Sequence, residues 1–405
     1  MGSNRIRVFA TSVAALTIGI YANRGLSENN NLPKNDPVGI SVSKGVKWLI
    51  SVQGKDGGWG QDGGETSYVR TGERLESNGN DVANTAVAAA ALVHAGNSPT
   101  TGEYHESVKR AVNFILLHVE ASQNNDLAVT DLTGTQIQRK LGPFIDTFLT
   151  SKLLAELDGN MGDPQTNARV RQSLQKCVAK IEKNQLKDGS WNVAGGWAPI
   201  LGTSMASRSL FIAQQKGVQV SKMAMSKVDD YTQRSAQSQS GVVDGISLAT
   251  GSGIGGGVGG GTYTSTAMSV SVSAASAGVP LYQRAQELEQ LSRTEKDRDK
   301  NAAKIKEITS QLADTRFVTG FGSIGGEEFF SWLNISDSMH RTGGPEWVKW
   351  NTDTKAKILK LQNEDGTWAG HHCITGRVAV TSAAILTLLA DRDPMIVPTT
   401  TTKRK

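Results

Sequence analysis

Two cysteines in 405 residues exclude a disulfide-rich scaffold and any zinc site made of cysteine alone. No apolar run reaches 18 residues, so the sequence offers no ordinary membrane span. Charge of one sign is also scarce: 43 Lys and Arg against 38 Asp and Glu leave a formal net charge of +5, spread along the chain. A nucleic-acid binder would show a basic stripe or a recognised module, and neither is here. Gly-x-Ser-x-Gly in a strand context, a P-loop and His-Glu-x-x-His are missing too. What abounds is glycine, 44 residues that are clustered rather than periodic, which excludes a collagen-like chain. With 38% apolar residues the chain can bury two or three ordinary domains or one large closed architecture.

The ends read as accessory segments. Arg5 and Arg7 precede an uncharged, mostly apolar stretch, Val8 to Ile20, and Ala22 follows as a small residue at a cleavage point. Residues 1–22 therefore resemble an export signal, which would place the protein in the periplasm or outside the cell. Residues 23–39 are polar with two prolines and read as a linker, and 393–405 as a disordered tail. The body is one domain over 40–392.

Three segments in that body repeat one pattern. Gln53, Asp56, Gly57 and Trp59 recur as Gln185, Asp188, Gly189 and Trp191, and again as Gln362, Asp365, Gly366 and Trp368. Each follows a helical apolar pattern and precedes a second one rich in small residues, which is the signature of a repeat. Asp-Gly ends the first helix, because glycine accepts the left-handed conformation of a tight turn. The Gln amide can satisfy backbone groups left open at helix ends, and the Trp can cover the turn. Weaker copies bring the count to six hairpins. Their first helices fall near 41–53, 103–121, 165–184, 219–236, 282–313 and 345–362. Their second helices fall near 81–95, 143–157, 203–216, 263–277, 328–342 and 376–390. The second set, such as Asp81 to Ala95, is hydrophobic nearly all round and so predicts helices buried on all sides. The pattern predicts an all-α fold with an inner ring of helices wrapped by an outer one.

Two stretches interrupt it. Residues 237–261 read as a flexible glycine-rich loop, with eight glycines in the eleven residues 251–261. Residues 280–314 read as one long helix with a wholly polar middle, Arg293 to Lys300, that runs past the body into solvent. Asp229-Asp230, on a first-set helix, reads as a solvated pair.

The Gln…Asp-Gly-x-Trp turns followed by alanine- and threonine-rich helices resemble the prenyltransferase/squalene-cyclase repeat superfamily. The resemblance covers most of 40–392 and is strongest at 41–95, 172–216 and 345–391. It implies an α/α toroid of six hairpins, in which the Gln and Trp turns are structural. The cyclases of that family use an Asp-x-Asp-Asp acid, which this chain lacks, and line their cavity with aromatic rings, while aromatics here are 6%. The prenyltransferases hold zinc with an Asp-x-Cys pair and a His, and Asp-x-Cys is absent as well.

Candidate chemistry is therefore sparse. His371, His372 and Cys373 lie in a row after the third turn. From an extended strand the alternate residues His371 and Cys373 would face one zinc ion, with Asp337 or His340 as a third ligand. Asp146, Asp337 and His340 are the candidate catalytic side chains, and Arg208 and Arg377 also fall in or near second-set helices. No cofactor beyond that zinc is expected. The leading expectation is an exported toroid that binds a protein or an apolar, isoprenoid-like ligand through its cavity or rim. A divergent isoprenoid-processing enzyme and a carbohydrate-active toroid are the other readings.

Overall fold

The computed structural model describes residues 36–61, 79–191, 199–247, 279–314 and 324–392. The export-like segment 1–22, the linker through residue 35, the glycine run 251–261, the helix expected at 263–277 and the tail 393–405 lie outside the described residues. Among the described residues the fold is all-α, with one isolated bridge between Trp59 and Asp81. The helices are α1 (Pro37–Ser51), α2 (Val82–His94), α3 (His105–Ala121), α4 (Gln136–Leu141), α5 (Ile145–Leu157), α6 (Pro164–Lys183), α7 (Pro199–Gln215), α8 (Lys222–Ser247), α9 (Val279–Leu291), α10 (Glu295–Lys300), α11 (Ala302–Leu312), α12 (Gly326–Thr342), α13 (Gly344–Lys360) and α14 (Arg377–Leu388). None of them is long and apolar enough to cross a membrane.

A central set, α2, α5, α7, α9, α12 and α14, packs in succession: α2 on α5, α5 on α7, α7 on α9, α9 on α12, α12 on α14, and α14 back on α2. Every residue of α2 is buried. Its alanines favour helix and let neighbours approach closely. In α14 the hydroxyls bond within the helix, Ser382 Oγ to the Val378 carbonyl at 2.7 Å and Thr387 Oγ1 to that of Ala383 at 2.8 Å, so the buried face carries no orphaned hydroxyl there. The flanking set is amphipathic: α3 packs on α2, α6 on α5, α8 on α9, α11 on α9, α13 on α12 and α1 on α14.

The three repeat turns have one geometry. The Gln amide nitrogen donates to the glycine carbonyl four residues on, at 2.8 Å from Gln53, 3.0 Å from Gln185 and 2.9 Å from Gln362. It donates again to a carbonyl near the start of the next flanking helix: Ser107, Ala224 and Ser41 respectively, each at 2.9 Å. The Asp accepts the N–H two residues on, at 3.0, 2.9 and 3.0 Å. The indole N–H donates back to the preceding helix, from Trp59 to Leu49 at 2.7 Å, Trp191 to Ile181 at 2.6 Å and Trp368 to Ile358 at 2.8 Å. Glycine is required at Gly189, where φ is +95° and a Cβ would lie 2.1 Å from the Lys227 carbonyl oxygen. Because Gln362 reaches Ser41, the last turn joins the first helix across a sequence separation of 321.

Several expectations need correction. The linker ends earlier than residue 39, since α1 starts at Pro37 behind Asp36. Residues 237–247 continue α8 rather than beginning a loop. Residues 280–314 are three helices, not one. Thr294 and Asp297 form a capping box that starts α10, with Thr294 Oγ1 accepting the Asp297 N–H at 3.1 Å. Asn301 then donates to the Leu291 carbonyl at 3.2 Å and folds the segment back. The polar middle is this reversal, so α9 joins the central set, with Ala285, Leu288 and Glu289 buried. Asp230 is exposed as expected, whereas Asp229 is only partly so and accepts from Arg293 in the reversal at 2.9 Å.

Candidate functional site

Among the described residues, the stretches that lead from a flanking helix into a central one include 122–144, which holds α4, and 361–376, whereas the returns 95–104, 158–163, 216–221 and Gly343 are shorter. Chain length is thus concentrated where the central helices begin. Loops on a rigid scaffold carry function more often than the scaffold does, and helix N-termini offer open N–H groups and a favourable dipole for acids. Asp81, Asp146, Glu327 and Glu328 all lie there, buried.

Asp81 caps α2 by accepting the Asn84 N–H at 2.8 Å. Asp146, in the first turn of α5, also serves α2: its Oδ1 accepts the Ala83 N–H at 3.1 Å, and its Oδ2 accepts from the Gln138 amide at 2.7 Å. Burial pushes the Asp146 carboxyl up to about 7, with nearby Asp81 adding to the rise. The side chain forms part of the floor of an open groove of about 510 Å³ between 128–139 and 143–147. The groove wall is held by Lys180, whose ammonium donates to the carbonyls of Gln123 and Ala128. Both Asp146 oxygens are occupied by these donors, so the residue ties α2, α4 and α5 together.

At the start of α12, Glu327 meets the end of the third repeat turn. Residues 371 and 372 pair with the backbone entering α12: His371 N–H donates to the Ile324 carbonyl at 2.9 Å, and Gly326 N–H to that of His372 at 3.2 Å. Cys373 then takes φ +63°, the only positive φ on a non-glycine residue among the described residues. That turn swings its thiol beside the neighbouring imidazole, with His372 Nδ1 3.1 Å from Cys373 Sγ and 3.6 Å from Glu327 Oε1. Ligand atoms of Glu327, His372 and Cys373 all lie within 4.8 Å of one another. A Cβ at Gly325 would sit 2.5 Å from either Glu327 carboxylate oxygen, so glycine there leaves room for the carboxylate. Next to it, burial pushes the Glu328 carboxyl up to about 8, and Glu327 reinforces the shift.

Of the expected pair, the structure sets Cys373 beside His372 and not beside His371. His371 is exposed and outside the cluster, because the backbone at Cys373 is not extended. Asp337 and His340 lie elsewhere. Asp337 accepts from Arg208 Nη1, while Arg208 Nε donates to Glu289 at 3.0 Å and Nη2 to Ser338 at 3.1 Å. His340 stacks on Trp347 with ring centres 5.0 Å apart. Arg377 donates to Asp365 at 3.1 Å and covers Trp48, which makes it part of the third turn. The second cysteine, Cys177, is buried in α6, where burial pushes its thiol up to about 12.

Between the central helices lies a narrow cavity of about 50 Å³. Ala90, Phe148, Leu153, Met205, Phe330 and Leu386 make most of its wall. Its charged members, Arg208, Asp337 and Lys152, each have an ionic partner. Lys152 donates to Glu156, which also contacts His94 at 3.3 Å. Burial alone would raise the Glu156 carboxyl, but Lys152 and His94 outweigh it and hold the group well below the usual range.

The chain matches no protein-family model and no curated protein. Function must therefore be argued from these groups alone. Sequence reasoning missed Glu327 as the partner of the His-Cys pair, and it missed Lys152, Glu156 and Glu289 as members of the central ion pairs. It also missed α4, although Thr135 and Gln138 spell its capping box.

Proposed function

We propose that the protein is an exported α/α toroid of six helical hairpins that takes the end of an apolar, isoprenoid-like ligand between its central helices. Three things support the ring: the circuit of central-helix contacts from α2 round to α14 and back, the flanking helices outside it, and the Gln362 bond to Ser41. Export rests on Arg5, Arg7 and the apolar stretch Val8 to Ile20.

The observation that carries the binding reading is the make-up of the central cavity. Its wall is mostly alanine, leucine, methionine and phenylalanine, the lining an apolar group needs, and its volume of about 50 Å³ takes the end of a chain and not a whole molecule. An enzyme acting on an isoprenoid there would need an acid poised to give up a proton. The one acid in the wall among the described residues, Asp337, is already engaged by the Arg208 guanidinium. Binding without turnover is the consequence. The runner-up, a divergent isoprenoid-processing enzyme, requires a reactive group elsewhere on the ring.

Calorimetric titration with a fifteen-carbon isoprenoid alcohol tests the reading. Binding should be saturable, and Ala90→Leu, which fills the cavity, should weaken it about ten-fold or more while helix content and melting stay near wild type. Binding that survives Ala90→Leu unchanged, or conversion of the alcohol to product, refutes it.

A further inference from the structure

We infer that Glu327, His372 and Cys373 form a zinc site with one open coordination position. The inference is independent of what the central cavity binds. Thiolate, imidazole and carboxylate together are a donor set for zinc among the common divalent ions. Tetrahedral zinc sets its ligand atoms about 3.4–3.6 Å apart. The observed 3.1 Å from Nδ1 to Sγ and 3.6 Å from Nδ1 to Oε1 are within a few tenths of an ångström of that spacing, and the thiol and carboxylate lie within 4.8 Å of each other.

Two further observations point into the same space. Glu327 is 2% exposed, and its Oε2 has no hydrogen-bond partner. A buried carboxylate oxygen left without a donor is costly, and a metal ion answers that cost. The backbone at Cys373 is held in the left-handed region, where a side chain with a Cβ is strained. The strain has a use: it brings two adjacent residues onto one point, which an extended strand would send to opposite sides.

The same geometry argues against a thiol–imidazole–carboxylate relay. In such a relay one ring nitrogen faces the nucleophile and the other faces the carboxylate. Here Nδ1 faces both Sγ and Oε1, so the three groups converge on a point instead of forming a line. His372 is partly exposed, with 16% of its side chain open, and that side leaves a fourth position for a solvent molecule. A zinc site of this kind, three protein ligands and one exchangeable position, is the arrangement that activates water or holds an incoming thiol.

The test uses the full chain, stripped with a chelator and titrated with Co²⁺ and then Zn²⁺. Wild type should give a near-ultraviolet sulfur-to-cobalt charge-transfer band that saturates at about one ion per chain and is displaced by zinc. Elemental mass spectrometry should then find about one zinc per chain, lost in Cys373→Ser and reduced at least ten-fold in affinity in Glu327→Gln. His371→Ala should retain the metal in full. Absence of the band in folded wild type overturns the inference, and so does stoichiometric zinc that survives Cys373→Ser or is lost with His371→Ala. The wild-type titration decides the matter even if a variant fails to fold.

Discussion

Gln362→Leu is the substitution whose consequences the structure fixes most closely. Leucine keeps the volume but removes the amide. Three hydrogen bonds go with it: the donations to Ser41 and Gly366 at 2.9 Å each, and the acceptance from Ser41 Oγ at 2.7 Å. At about 0.5–1.5 kcal/mol each, discounted because the site is only part-buried, the loss is about 1–3 kcal/mol. Gln53→Leu and Gln185→Leu remove the equivalent donations and should cost a similar amount. Their location differs. Of the three glutamines, only Gln362 donates to α1. Native-state hydrogen exchange resolves this, because local opening is read element by element. In Gln362→Leu, amides of α1 should exchange about five- to 150-fold faster, the range that 1–3 kcal/mol implies. In Gln53→Leu the faster amides should be those of α3. Unchanged protection of α1 in a folded Gln362→Leu protein, or acceleration spread evenly over all helices, would refute the idea that this turn closes the molecule.

Three further outcomes are expected. Arg208→Leu leaves Glu289 and Asp337 buried without their cation, so the urea midpoint should fall by the equivalent of about 3–5 kcal/mol; a loss under about 1 kcal/mol would mean the network is slack. Asp146 is raised in the folded state to about 7 from 3.8, so the folded protein holds its proton more tightly; the stabilisation is complete below about pH 4 and is lost as pH rises through about 7. Melting temperature of wild type relative to Asp146→Asn should therefore decline between pH 4 and 7, and a constant difference would contradict the burial of an uncompensated carboxyl. Gly189→Ala puts a Cβ 2.1 Å from the Lys227 carbonyl oxygen at φ +95° and should cost about 2 kcal/mol or more in chemical denaturation, whereas Gly217→Ala, with only the Arg171 guanidinium nearby at 3.8 Å, should cost less.

The helical body was readable from the chain because its information is local. Gln, Asp, Gly and Trp at fixed offsets each perform one short-range task, and the three turns carry out those tasks with the same bonds. The errors arose where a distant partner decides the outcome. Arg293 and Asp297 look solvated until Asp229 and Thr294 are placed beside them, which turns a supposed projecting helix into a reversal. Helical periodicity across Leu288, Leu291, Ile305 and Ile308 continues on both sides of that reversal, so pattern alone does not reveal it. At the candidate metal centre, the extended-strand assumption selected His371 and Cys373, and one backbone angle at Cys373 exchanged His371 for His372. Glu327 was readable as a helix-start acid but not as the third member, because nothing local links it to a residue 46 positions later.

The bond from Gln362 to Ser41 also has a meaning in time. Helix α1 leaves the ribosome well before the α14 surface it packs on and the amide that fastens it, which lies 321 residues further along. During synthesis each new hairpin can dock on its predecessor, but α1 must wait with its apolar side uncovered. A chain stopped short of residue 362 would thus present an unsatisfied face at each end, open to the matching end of another truncated chain. Until α14 is made, quality control in the cell would meet α1 with its partner surface missing.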